Sequence, residues 1–592
     1  MEYRSSVEHL LRQAREHPDL PAYHCKEGGT WRPTPWKKYA EEVREAARAL
    51  MALGLEPGDT ICLLGFNRPE WTTLDLAAMM VGGIPAGIYV TSSAEEIRYI
   101  VDHAESRWLL VETVEHWQKV RGQRHRLPRL ERVIFMEGAA VPEDPLALSW
   151  QSFRTRAQEV PEELLDGRIG SLEADQVATL IYTSGTTGPP KGVMLSHDNL
   201  LWTARTALAE MFAIGPADCA LSYLPLSHIA ERIFSVHGSV LAGYSVYFAQ
   251  SPEKVPEDLR DVQPTLIFGV PRVWEKLAGA VQEKLREASP GKQRLVRWAC
   301  GVGGRITALL CRGEKARGTL ALTYRLARLL VLDRIKPLLG LGRARLCVSG
   351  AAPISRDVLD FFAGLGILIY EVYGQSEGSG PTTLNRPGQT RLGTVGLPLP
   401  NVEVRIAEDS EILVRGRNVF LGYFKDPAST AESLEDGWLA SGDLGRLDEE
   451  GFLTIIGRKK DILITSGGKN IAPGNLEIAL RELDLIQDAV VFGDGRRFLV
   501  ALLTLDPETA EALAPDGTGP SSLSRHPAVL AAVEDGVGRV NQRFSRVQHI
   551  RRYRVLEQTF SVESGELTPT LKLKRKVIGE RYAAEVDALY ED

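Results

Sequence analysis

Residues 179–197 read TLIYTSGTTGPPKGVMLSH. An apolar run enters a loop of small hydroxyl and glycine residues and ends on a lysine. Glycines such as Gly185 let backbone N–H groups come close to a phosphate. Thr183, Ser184, Thr186 and Thr187 offer hydroxyl donors, and Lys191 adds a positive charge. The chemistry is that of a polyphosphate cradle. No G-x-x-x-x-G-K-[ST] can be read in it, which disfavours a P-loop NTPase or kinase. Further along, Tyr373 in YGQSEGSGP offers a ring face for a base, Ser376 a hydroxyl for an α-phosphate, and Glu377 a hard oxygen ligand for Mg²⁺ beside phosphates. Asp443 in SGDLG can accept hydrogen bonds from two ribose hydroxyls. SGAAPI at 349–354 is small enough for a flat ring to approach the backbone, although alone it reads equally well as a strand-exit turn.

At the 182–192 stretch the chain resembles the adenylate-forming superfamily of acyl-CoA synthetases, luciferases and peptide adenylation domains, whose signature is YTSGTTGxPKG. The likeness runs along essentially the whole chain and is closest to the bacterial long-chain fatty acyl-CoA synthetases. It implies ATP, Mg²⁺ and coenzyme A as reactants. It places Gly350 and Ala351 at the adenine pocket and reads 373–377 as a YGxTE motif, with Gly374 kept and Ser376 in place of threonine. Asp443 falls on a GD motif, Arg458 on a second sugar contact, and Lys460 on the hinge about which a last domain pivots. Ser466, Gly467 and Gly468 would line the pantetheine tunnel. Lys572, two residues after the second Thr of T-P-T, would bridge the substrate carboxylate and the α-phosphate; by charge alone Lys574, Arg575 or Lys576 would serve as well.

On the substrate side, SYLPLSHIAERI and LIFGVPRVWEKL are mostly apolar, and the first lacks the aspartate that peptide adenylation domains use to hold an amino group. A carboxylate with an apolar tail fits such a pocket. The resemblance gives His228 the task of positioning that carboxylate or gating the site. Gly269 is small enough to leave a tunnel open, although strand-end geometry would explain it equally.

The elements that must carry these residues can be sketched from periodicity. Residues 36–54 have apolar positions at helical spacing and end on Gly54; Thr60–Leu64 reads as a buried strand; Ser93-x-x-Glu96 is a capping box opening a helix. Alternating helix and strand favours a layered α/β fold with parallel pairing. After about residue 400 short strands and turns take over, with DEEG marking a hairpin, and a compact last unit follows GRKKD. The expected architecture is therefore α/β: an N-terminal domain (1–459) of layered αβ subdomains with a small β-barrel-like subdomain, and a small mobile α+β C-terminal domain (460–592).

The net charge of −7 implies no nucleic-acid partner. Six cysteines without metal-ligand spacing, a charged N-terminal stretch and no apolar run of membrane-spanning length point to a reduced, cytoplasmic protein. Residues 292–345 carry thirteen Lys or Arg against Glu314 and Asp333. They form either a solvated helical face or a peripheral contact with an anionic membrane. The expected activity is fatty acid + ATP + CoA to acyl-CoA, AMP and pyrophosphate. Its rivals are a fatty acyl-AMP ligase that loads a carrier protein and a non-catalytic lipid-binding adaptor on the same scaffold. Chain length and oligomeric state are not encoded in these motifs.

Overall fold

The computed structural model describes residues 4–183, 188–514 and 519–591. Val177–Thr183, Ile84–Ile88, Thr60–Leu64, Trp108–Val111, Arg132–Phe135 and Ala147–Ser149 lie side by side in parallel. Lys191–Ser196 and then Gly422–Tyr423 extend one edge in antiparallel fashion. The central strands TICLL, IPAGI and WLLV are buried at every position, as expected when a parallel sheet is covered on both faces. The helix Pro69–Met80 is correspondingly apolar and buried almost all round.

A second sheet repeats this logic. Ile369–Gln375, Leu346–Ser349, Leu266–Gly269, Cys219–Ser222, Ser245–Phe248 and Pro21–Glu27 run parallel in that order, with antiparallel strands at both edges. Loops leaving the carboxyl ends of parallel strands are where such sheets bind ligands. Here those strand ends and the loops after them carry Thr183, His228, Gly269, Gly350 and Tyr373.

The helix read over 36–54 spans Trp36–Ala52, with Gly54 at φ +83° just past its C-cap. The Ser93–Glu96 capping box is present in both directions. Beyond residue 400 a five-stranded antiparallel sheet forms, in which Trp438–Leu447 and Leu453–Arg458 are the hairpin that DEEG announced. Helices Pro290–Cys311 and Gly318–Ala327 bury one face on the second sheet's flank through Ala299, Val302 and Ala327. Gly303 crosses helix Arg356–Gly364 so closely that any side chain there would overlap the Gly364 carbonyl.

Among the described residues, apolar side chains up to Ile455 pack into one large core and three further clusters, whereas those from Leu463 onward pack into two clusters of their own. The last unit holds the hairpin Ile486–Phe492/Leu499–Leu505 with Ile550–Val555 added in parallel. Helices Pro473–Arg481 and Pro527–Gln542 share its core. One turn of 3₁₀ helix, Lys459–Asp461, links it to the preceding sheet. Among the described residues no helix is long and apolar enough to cross a membrane.

Candidate active site

The antiparallel hairpin sets Asp443 directly opposite Arg458. Arg458 Nε lies 3.2 Å from Asp443 Oδ1, and the Tyr373 hydroxyl donates to Oδ2 at 2.9 Å. Three residues that the sequence placed around a nucleoside, 70 positions apart in the case of Tyr373 and Asp443, thus form one chain of contacts. Asp443 is nearly buried, and burial raises its carboxyl pKa against the opposing pull of Arg458, Tyr373 and Lys572. Each carboxylate oxygen keeps a second lone pair for a sugar hydroxyl. Tyr373 is itself mostly buried, and its hydroxyl pKa is driven upward by burial and by Asp443, so it stays a donor.

Gly374 and Gly350 are glycines for lack of room. A side chain at Gly374 would overlap the Gly380 carbonyl, and one at Gly350 would meet Val372 Cγ1 at 2.5 Å. Ala351 follows in the left-handed region at φ +67°. Ser376 is buried in a short turn, while the Glu377 carboxylate accepts from the Tyr423 hydroxyl at 2.8 Å. Thr183 pairs with Lys191 across two adjacent strands. The Lys191 ammonium donates to Ser429 Oγ at 2.6 Å and lies 4.8 Å from the Tyr423 ring centroid. Ser184, Gly185, Thr186 and Thr187 lie outside the described residues. Tyr423 and Ser429 belong to no motif that the sequence reading used. Only the pairing of Gly422–Tyr423 with Lys191–Ser196 brings them here.

Lys572 comes from the last unit. The turn beneath it is tied by Thr568 N–H to Lys572 O at 2.8 Å and by Lys572 N–H to Thr568 Oγ1 at 3.0 Å, with Leu571 at φ +58°. Its side chain keeps an accessible surface yet is surrounded by protein on most sides. This desolvation, with Arg458 nearby, pulls the ammonium pKa below the usual lysine range, while Asp443 and Glu377 pull it back up. The neighbouring cations are engaged elsewhere. Lys574 faces Glu96 at 3.9 Å, Arg575 bonds Glu477 and the Val491 carbonyl, and Lys576 faces Glu580 at 3.9 Å. The Thr91 hydroxyl donates to Pro569 O at 2.7 Å, and Arg272 reaches Asp488 at 2.7 Å, holding the last unit against the rest of the chain.

His228 caps the short helix Ile229–Arg232, its Nδ1 accepting from Ala230 N–H at 3.2 Å. Burial and then Lys572 lower its pKa to about 4, so it is neutral at pH 7 with Nε2–H left to donate. Next to it, Glu231 was not singled out by the sequence. Its Oε1 accepts from Ser222 and Ser235, each at 2.7 Å, and burial raises its pKa to about 7. The opening expected at Gly269 is filled: the fully buried Trp274 donates from Nε1 to Gly269 O at 3.1 Å, and a side chain at 269 would meet that nitrogen at 2.9 Å. The glycine makes room for an indole. A cleft of about 360 Å³ between Pro290–Cys311 and Arg356–Gly364 is lined by none of these residues.

Lys460 sits exposed in the linking turn. Ser466, Gly467 and Gly468 form an exposed turn whose contacts run to Thr465 and Arg496, within the last unit. They are not gathered with the other site residues.

The described side chains offer no group of three or more His, Cys, Asp or Glu close enough to hold a metal ion. A single carboxylate such as Glu377 nonetheless suits Mg²⁺, which is commonly held by one or two carboxylates plus substrate phosphates.

A family model described as AMP-binding enzyme matches residues 10–424, and one described as AMP-binding enzyme C-terminal domain matches 460–592. A long-chain-fatty-acid–CoA ligase of Xenopus laevis is 38% identical over 97% of this chain and 82% of its own length. One of Mycobacterium bovis is 36% identical over 98% and 96%. The fold is also that of the adenylation and carrier didomain of a Segniliparus rugosus carboxylic acid reductase in complex with AMP (TM-score 0.77, 20% identity, 100% of this chain and 82% of that one). An anthranilate CoA ligase in complex with anthranoyl-AMP has a TM-score of 0.72 at 21% identity, covering 99% and 98%.

Proposed function

Because the chain belongs to the AMP-binding enzyme family, we propose that it is an ATP-dependent long-chain fatty acid–CoA ligase working through an acyl-adenylate. The observation that carries this reading is the chain of contacts through Tyr373, Asp443 and Arg458, drawn from separate stretches of sequence, with Lys572 of the last unit within electrostatic reach of Asp443 and Glu377. Relatives at 36–38% identity named long-chain-fatty-acid–CoA ligases support the substrate class, and neither the carrier-loading nor the non-catalytic alternative is favoured.

In the first step the fatty carboxylate attacks the α-phosphorus of ATP and pyrophosphate leaves. Asp443, Tyr373 and Arg458 hold the ribose and base, the backbone of Gly350, Ala351 and Gly374 lines the adenine, and the 183–191 loop holds the outer phosphates. Lys572 offsets the charge that develops between carboxylate and α-phosphate, which is where fixed charge accelerates phosphoryl chemistry. Neutral His228 donates from Nε2 to the incoming carboxylate. Mg²⁺ held through Glu377 would neutralise phosphate charge. In the second step the coenzyme A thiolate attacks the acyl carbonyl and AMP leaves. The unit 460–592 pivots at Lys460 away from the 1–459 domain, withdrawing Lys572 and presenting the Ser466–Gly468 turn to the pantetheine arm. The test is thioester formation with coenzyme A against carrier protein as acceptor. Preference for a carrier would overturn the ligase assignment.

The fatty substrate suggests where the enzyme works. Among the described residues, eight of sixteen exposed large apolar side chains fall within 292–345, including Leu322, Leu326, Leu329 and Leu338. They share the outer surface of those helices with Arg325, Arg328 and Arg334. Leucines mixed with arginines suit the surface of an anionic bilayer. Sedimentation with phosphatidylglycerol vesicles, lost in Leu322→Glu/Leu329→Glu, is the expected result; equal binding by both proteins would contradict it.

A further inference from the structure

Lys191 and Glu377, the cation and the anion assigned to the polyphosphate side, approach from different sheets, yet among the described residues neither is in an ion pair. One residue touches both. The Tyr423 hydroxyl donates to Glu377 Oε1 at 2.8 Å, and its ring lies 4.8 Å from the Lys191 ammonium. Tyr423 is itself held firmly. Its N–H donates to Thr430 Oγ1 at 2.9 Å, its strand pairs with Val193, and Phe420 packs edge-on at 5.0 Å. Gly422 makes this seating possible, because its φ of +135° and the Thr430 side chain 2.8 Å from any added Cβ admit only glycine. Phe420 N–H also donates to the Glu377 carbonyl at 2.9 Å, so the same short segment anchors both the backbone and the carboxylate of Glu377.

A lysine and a glutamate left free beside each other would pair and cancel. A protonated tyrosine between them gives the carboxylate a neutral donor and the ammonium a π-face, contacts weaker than a salt bridge and easily exchanged for phosphate and metal. We propose that Tyr423 is a positioning residue for the polyphosphate: it aims the Glu377 carboxylate through its hydroxyl and seats the Lys191 ammonium on its ring. This rests on the assignment of Glu377 to the metal made above.

The test separates the two contacts in the full-length protein and reads binding rather than turnover. Mn²⁺ affinity is followed by EPR with α,β-methylene-ATP present, and metal-free AMP affinity by calorimetry. Tyr423→Phe removes only the hydroxyl and is expected to weaken Mn²⁺ about tenfold, as for loss of one hydrogen bond to a charged group, with AMP binding within twofold of wild type. Tyr423→Leu removes the ring as well and is expected to weaken metal-free α,β-methylene-ATP too, whereas Tyr423→Phe is not. If Tyr423→Phe leaves Mn²⁺ affinity unchanged while Glu377→Gln lowers it, Tyr423 is packing alone. If Glu377→Gln leaves it unchanged as well, the metal assignment itself fails and takes the role of Tyr423 with it.

Discussion

Replacing Lys572 with alanine should abolish the first half-reaction and spare both the fold and the second. The turn beneath the residue is held by backbone and Thr568 contacts that alanine keeps. Asp443 retains Arg458 and Tyr373, and Glu377 retains Tyr423, so no buried charge is left without a partner. The loss is therefore kinetic. A fixed charge aimed at a developing anion in a crowded site is worth ~3–4 kcal/mol, or roughly 10²–10³ in rate. ATP–pyrophosphate exchange should fall by that factor, while acyl-CoA formation from supplied acyl-AMP stays within about threefold. The sign of the pH dependence follows from the lowered pKa of Lys572: the charged form does the work, so exchange should decline as pH rises through a value below that of an ordinary lysine. Lys572→Arg should move that decline to higher pH. Exchange in Lys572→Ala that matches wild type, or an alkaline limb that Lys572→Arg does not move, would show that the Lys572 charge does not drive adenylation.

Asp443→Asn should raise the KM for ATP at least about tenfold by removing the charge that Arg458 and Tyr373 organise, with the fatty-acid KM within twofold; steady-state kinetics in both substrates decides it. Glu231 has a folded-state pKa near 7, above its ordinary value of 4.5. Its protonated form therefore stabilises the fold fully below about pH 4.5, and that contribution is lost as pH rises towards 7. The difference is up to ~3 kcal/mol. Glu231→Gln should flatten denaturant-measured stability over that window, and an unchanged slope would exclude the residue as its source. Gly269→Ala should push the Trp274 indole aside, since the new methyl would sit 2.9 Å from its nitrogen. A shift in tryptophan fluorescence with a changed acyl-chain profile is expected, and unchanged spectra and profile would contradict it.

What could be read from the sequence was what is local. The capping box at Ser93 and the hairpin at DEEG rest on contacts within a few residues, the strand Thr60–Leu64 is announced by its own apolar run, and all are present. The candidate site residues could be named because motif residues announce their own chemistry, and of them the structure brings Tyr373, Asp443 and Arg458 into contact. By charge alone the four cations of the tail are equivalent and only the resemblance chose Lys572; the structure ties its neighbours to Glu96, Glu477 and Glu580. Tyr423 and Ser429 escaped notice because Lys191 meets Ser429 across 238 positions, with no periodicity to announce it. Glu231 looked like one polar interruption in an apolar stretch, and Gly269 like an opening, because a sequence does not show which side chain fills a space.

Two-step synthesis of a fatty thioester is the activity that these residues are arranged to perform. Its most direct test is to supply ATP, Mg²⁺ and free acids from short to very long chain, with and without coenzyme A, and to quantify AMP, acyl-AMP and acyl-CoA together. The expected result is acyl-AMP without coenzyme A, and with it acyl-CoA and AMP in equal amounts, highest for long-chain acids. AMP and acyl-AMP absent for every acid would contradict it and would leave a lipid-binding protein on an enzyme's scaffold.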